Sequence, residues 1–319
     1  MKKLGLAALT LAGAVSLLTP SLAVAAPEEQ GQGQAVVTVM PKNDKSEAPV
    51  NIQQSDLQVK VNGKESSVTQ WTPARGAGSP LELVLLIDSS ARTSLGTQLG
   101  EIEGFVKEMP AHTKMGIAYM ENGRAVFNGP LSSDAAQVLT GLHLPAGGAG
   151  VSSSAYFCLS DLAKNWPSND QTARREVVMV TDGVDYYNLR YDPDDPYVQA
   201  AITDSARAGL VVYSIYWQNR GRVDRSFYEN NAGQNLLSQV TQATGGNSYW
   251  EGIGNPVSFD PYFKDLRARF ANQYRLGFQT GLKGKPELLP LKLRAGGPEA
   301  KIYYPQQVFV TPAGANAGE

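Results

Sequence analysis

The residues best suited to chemistry fall in two short stretches, Asp88-Ser89-Ser90 and Thr181-Asp182-Gly183. Their carboxylates and hydroxyls are hard oxygen donors, which suit Mg²⁺ or Mn²⁺, accommodate Ca²⁺, and do not suit Zn²⁺. Each stretch closes an apolar run: Leu83-Val84-Leu85-Leu86-Ile87 leads into Asp88, and Val177-Val178-Met179-Val180 leads into Thr181. Continuous aliphatic runs of this length suit central strands buried on both faces of a parallel sheet. Open α/β sheets place their sites beyond the carboxyl ends of the strands. If both runs lie in one such sheet, Asp88 and Asp182 emerge at the same edge. The plainer reading of the same residues is helix capping by Ser89-Ser90 and a turn at Asp182-Gly183.

Other chemistries lack parts. A metal-dependent phosphohydrolase built on a strand-terminal Asp wants a second carboxylate two residues on, as acid and base, and Ser90 stands there. No Gly-x-Ser-x-Gly pentad occurs, and Gly147-Gly148-Ala149-Gly150 is not followed by the Lys-Ser/Thr of a phosphate loop. Cys158 is the single cysteine, so no intrachain disulfide forms, and the two histidines, His112 and His143, have no evident serine partner. No catalytic residue is assigned, and the chain is read as a non-enzyme. A formal charge of -2 without a basic stretch argues against nucleic-acid binding.

The elements that must position Asp88 and Asp182 follow from pattern. Lys2 and Lys3, an apolar run over 4–18 and the small residues Ala23-Val24-Ala25 form a cleavable export signal over 1–26. The destination is therefore secreted, periplasmic or extracellular, with no transmembrane helix expected in the mature chain. Residues 27–34, polar and glycine-rich, read as a flexible leader. Strand patterns fill 35–72, with Asn62-Gly63 as a hairpin turn, and a Pro/Gly-rich linker spans 73–80. From 81 to 272 strands and helices alternate, which predicts a doubly wound, mostly parallel, Rossmann-like α/β domain. Strands return over 273–312, ahead of a short tail at 313–319. Neither β segment buries a core alone, so the two are expected to pair as a small β-sandwich with the α/β domain inserted between them.

In this order, the motifs resemble the von Willebrand factor type A (VWA) domain. The strand ending Asp88-Ser89-Ser90 resembles the start of its metal-ion-dependent adhesion site (MIDAS) loop, Asp-x-Ser-x-Ser, and Thr181-Asp182-Gly183 resembles the segment giving its distant Asp. Ser153-Ser154-Ala155-Tyr156-Phe157-Cys158-Leu159 is similar to the family's Thr-x-Leu-Tyr-Asp-Ala-Leu helix start. Val59-Lys60-Val61-Asn62-Gly63-Lys64 and Gln273-Tyr274-Arg275-Leu276-Gly277-Phe278 look like the flanks of the secreted VWFA-related acidobacterial-type family. The likeness runs from about residue 35 to 311. It implies a metal held by Asp88, Ser90, Ser153 and Asp182, with Ser152 and Ser154 one register to either side of Ser153. The implied partner is a protein whose acidic side chain completes the metal shell. Arg92 departs from the pattern, standing where a second loop Ser is wanted. Its guanidinium can pair with the two carboxylates in place of the ion, which would make the chain a metal-free structural domain of a cell-envelope assembly.

Two further loops are expected on the same edge. One carries Tyr186, Tyr187, Tyr191, Asp192, Asp194 and Asp195, and the other Trp217, Arg220 and Arg222. Tyr, Trp and Arg on loops are the residues protein-recognition surfaces use.

Overall fold

The computed structural model describes residues 29–42, 51–76, 78–147, 154–185, 187–188, 191–218, 227–252, 254–295 and 300–314, without the side chains of 92, 93, 227 and 228. The expected export signal lies outside these residues. Among the described residues no helix is long and apolar enough to cross a membrane.

The chain opens with β1 (Glu29–Pro41), β2 (Leu57–Val61) and β3 (Lys64–Pro73). It continues through β4 (Leu81–Asp88), a 3₁₀ segment (Ser89–Gln98), α1 (Leu99–Lys107), β5 (Thr113–Glu121), β6 (Arg124–Phe127), α2 (Ala135–Leu139) and α3 (Ala155–Lys164). Next come β7 (Arg174–Thr181), α4 (Pro196–Ala208), β8 (Leu210–Tyr216), α5 (Phe227–Thr244), β9 (Ser248–Tyr249) and α6 (Asp260–Ala271). The final strands are β10 (Gln273–Leu282), β11 (Glu287–Ala295), β12 (Ala300–Tyr303) and β13 (Gln307–Pro312).

The α/β part is a six-stranded sheet in the order β6-β5-β4-β7-β8-β9, with only β6 antiparallel. Every residue of β4 is buried, because alternate side chains enter different cores. Leu83, Leu85 and Ile87 pack with Ile102, Phe105 and Phe263 of α1 and α6 on one face. Val84 and Leu86 pack with Tyr156, Leu159, Val198 and Val240 of α3, α4 and α5 on the other. Burying each such aliphatic side chain is worth about 1.5–3 kcal/mol, which holds β4 as the spine of the sheet. Strand order reverses between β4 and β7, and their carboxyl ends are adjacent there, with Ile87 level with Val180. That crevice is the topological switch point of a doubly wound sheet.

The N- and C-terminal strands do pair, but as a closed antiparallel barrel and not as a two-sheet sandwich. The order β10-β3-β2-β11-β13-β1 is closed by a β1–β10 ladder, and β12 adds to the end of β1. Closure leaves the barrel strands without the unpaired backbone edges of an open sheet. A β-bulge at Gly277/Phe278 helps the long β10 to bend.

The leader is also different from expectation from residue 29 onward, where β1 begins and pairs Glu29 through Thr38 with β10. Its glycines serve close packing. A Cβ on Gly33 would lie 2.5 Å from the Phe278 ring, and one on Gly31 would lie 2.8 Å from Leu282 Cβ.

Candidate functional site

Asp88 ends β4 and caps the 3₁₀ segment that follows, with its side chain accepting from Ser90 N at 2.9 Å. The same Oδ1 accepts from the Ser90 hydroxyl at 2.5 Å, and Oδ2 accepts from the Thr181 hydroxyl at 2.8 Å. Thr181 thereby ties the ends of β4 and β7 together across the switch point. Asp182, the next residue, turns its Oδ1 back to accept from Val184 N at 3.0 Å. Asp88, Ser90, Thr181 and Asp182 are all buried, so the capping and turn roles are present along with the convergence of oxygen donors.

The third side of the crevice is the start of α3. Ser153 lies outside the described residues. Its neighbour Ser154 is fully buried and caps α3, its hydroxyl accepting from Tyr156 N at 3.2 Å. The Tyr156 hydroxyl donates to Gly183 O at 2.7 Å, which fastens α3 to the loop carrying Asp182. Burial, followed by the charges of Asp185, Asp182 and Asp195, pushes the Tyr156 phenol well above its ordinary value. Tyr156 therefore stays neutral and works as a donor. Burial first, then the charges of Asp88 and Asp161, push the Cys158 thiol up as well, leaving it a buried, inert side chain.

Asp185 is a member of this region that sequence reasoning did not single out. It is buried, its Oδ1 accepts from Tyr187 N at 2.9 Å, and Oδ2 has no hydrogen-bond partner among the described residues. Burial raises its carboxyl above the usual range. The Tyr187 amide opposes that rise, the Asp195 charge adds to it, and the nearby Ser154 hydroxyl and Asn188 amide oppose it. The signal available in the sequence was an Asp-x-x-Asp spacing straight after a buried strand.

These donors are all hard oxygens, and their chemistry fits a Mg²⁺-like ion. Among the described residues no three acidic, Cys or His side chains form a metal-holding group. The acids alone therefore make no cage, and the hydroxyls of Ser90 and the α3 start would have to join Asp88 and Asp182. The Arg92 side chain lies outside the described residues.

The expected recognition loops divide. Tyr187 is 64% exposed and Tyr191 39%, and Asp194 is exposed. Tyr187 packs against Phe157 and Tyr197, with ring centroids 5.1 and 6.0 Å away, so these aromatics form a surface cluster beside the crevice. Asp192 accepts from Asp194 N at 2.9 Å in a local turn. Asp195 is instead buried as the cap of α4, accepting from the amides of Tyr197 and Val198. Trp217 also turns inward: it is 2% exposed, stacks edge-on with Phe259 and donates to the Ser94 hydroxyl. A large apolar ring following a buried strand gains more from the core than from solvent. Tyr186, Arg220 and Arg222 lie outside the described residues.

No protein-family model matches the sequence, and no curated protein matches it. The fold is similar to several solved structures. The pilus adhesin SpaC from Lactobacillus rhamnosus GG, in its open conformation, is 10% identical, with 86% of this chain and 48% of that one covered at a TM-score of 0.45. Proximal thread matrix protein 1 from the mussel byssus, with a zinc-occupied MIDAS motif, is 12% identical over 66% of this chain and 50% of its own, at 0.42. The SpRpn10 VWA domain is 10% identical over 56% of this chain and 98% of its own, at 0.34. The α/β part is VWA-like.

Proposed function

We propose that this chain is an exported, VWA-like protein-binding module that engages its partner at the carboxyl edge of the α/β sheet. The observation that supports this reading is the convergence of Asp88 and the Thr181-Asp182 pair at the switch point, with the Ser90 hydroxyl beside them. In this reading Asp88, Ser90 and Asp182, with Ser153 or the adjoining Ser154, hold Mg²⁺ or Mn²⁺. Such an ion, when bound, offers a coordination place to a partner's carboxylate. The protein's own task is to present the oxygens together and to keep them dry. The exposed Tyr187 and Tyr191 supply apolar contact area around that point.

A second reading has its own observation. Both oxygens of Asp88 already accept hydrogen bonds from Ser90 and Thr181, so the crevice is satisfied as a metal-free capping network. In that version the chain is a structural domain of an envelope assembly.

Titration of the full mature chain with Mn²⁺, read by electron paramagnetic resonance, separates the two. The adhesion reading expects saturable binding that Asp88→Ala and Asp182→Ala each abolish, and partner capture that EDTA reverses. No binding at millimolar Mn²⁺, or binding that survives Asp88→Ala, would leave the metal-free reading.

A further inference from the structure

At the opposite end of the sheet lies a cavity of about 270 Å³, between the amino ends of β4 and β5, the ends of α1 and α6, and the residues that follow β3. Its walls include Leu81, Met109, Pro110 and Phe270. Of the polar side chains that line it (Arg75, Glu108, His112, Thr113, Arg174 and Arg267), Thr113 and Arg174 are buried, each 3% exposed. Among the described residues, Thr113 Oγ1 and Arg174 Nε have no hydrogen-bond partner. Buried polar groups are nearly always paired, because an orphaned donor keeps its full desolvation cost. Two orphaned donors beside an apolar space point to a missing acceptor.

The charge at this place has the same sense. Arg174 Nη1 donates to Phe270 O at 3.1 Å and to the Gln273 side chain, both uncharged acceptors. Glu176 is its ion-pair partner, at 3.9 Å from Nη1, a separation that gives charge compensation without a hydrogen bond. Arg75 and Arg267 also line the cavity, together with Glu108, which Arg267 pairs at 2.9 Å. The cavity is therefore apolar in its walls and positive in its charged groups.

We infer that this cavity is a binding site for a small apolar carboxylate, whose head meets Arg174 Nε and the Thr113 hydroxyl and whose hydrocarbon body lies along Leu81, Met109 and Phe270. A carboxylate can accept from both orphaned donors at once and gives the buried guanidinium the charge-assisted hydrogen bond that Glu176, at 3.9 Å, does not make. An alcohol of the same shape offers one acceptor and no charge. The site is independent of the crevice at Asp88, which lies at the other edge of the sheet.

Calorimetric titration of the full mature chain, in EDTA throughout, tests this with straight-chain acids from butanoate to octanoate, with 4-phenylbutanoate, and with 4-phenylbutan-1-ol. At least one acid binds saturably, and the alcohol binds at least tenfold more weakly than 4-phenylbutanoate. Thr113→Val, which replaces the hydroxyl with a methyl group of similar size, weakens acid binding several-fold, and Met109→Trp, which fills the cavity, removes it. Saturable binding by none of the acids, an alcohol that binds as tightly as the acid, or full binding to a folded Met109→Trp protein overturns the inference. The acid–alcohol comparison uses the unsubstituted chain, so it stands even where a variant fails to fold.

Discussion

Asp88 shows how one side chain can serve a scaffold and a site with the same atoms. Its Oδ1 takes two donors from Ser90 and its Oδ2 takes one from Thr181. Removing a donor from a buried carboxylate leaves part of its desolvation uncompensated, which costs about 1–3 kcal/mol. Thr181→Val is therefore expected to lower unfolding free energy by that order when measured by denaturant titration in EDTA. Unchanged stability would mean that the Thr181 bond contributes nothing to holding β4 and β7 together. The meeting of the two strand ends was readable from sequence because each acid follows an unbroken aliphatic run. Asp185 was not, because its burial depends on how the loop after β7 folds against α3. Trp217 was misplaced on a surface for a similar reason: nothing local distinguishes a loop aromatic that faces the core through Phe259 from one that faces solvent.

At the scale of elements, the loop bearing Asp182 is held by helix α5 through two glycines. Gly183 sits at φ +66°, a left-handed conformation that favours glycine, and a Cβ there would lie 2.4 Å from Leu237 Cγ. Across the contact, a Cβ on Gly233 would lie 2.1 Å from Asp182 O, a backbone atom with little freedom to give way. Gly233→Ala must therefore move α5 or the Asp182 loop. Overpacking of this kind costs about 1–3 kcal/mol, despite the higher helix propensity of alanine. Thermal unfolding should show that loss, and the metal reading adds weaker Mn²⁺ binding, since the displaced backbone carries Asp182. A stabilised Gly233→Ala protein would overturn the close approach. The sequence pattern placed strands and helices well where aliphatic runs were long, but composition misled at the start of β1. Gly31 and Gly33 look like flexibility until Leu282 and Phe278 are seen to cover them, and that covering comes from β10, about 250 residues away in sequence.

At the scale of the whole molecule, the barrel and the α/β sheet meet through a buried polar network that no local pattern discloses. Gln273, the first residue of β10, donates towards Thr38 of β1 and the Tyr213 hydroxyl of β8, each at 3.4 Å, and accepts from Arg174 of β7. Glu176 of β7 lies fully buried within this network, facing Arg174, Gln273 and Tyr213. Arg269 of α6 is a further charged group at this junction, held by Asp265 and stacked on the Tyr303 ring of β12. Burial pushes the Glu176 carboxyl from its ordinary 4.5 up to about 7, against the opposing pull of Arg174. Between those values the folded chain keeps a proton that the unfolded chain has released, so stability falls as pH rises through the window. Above about pH 7 the carboxylate is ionised in place, and the full penalty, on the order of 3 kcal/mol, applies. Glu176→Gln keeps the shape and removes the titration. Its melting temperature should exceed that of the unsubstituted chain at pH 8, and the difference should shrink steadily as the pH is lowered to 5, where the unsubstituted side chain is neutral when folded. A pH-independent gap between the two proteins would mean that Glu176 does not titrate at this junction, and that Arg174 holds it ionised across the whole range.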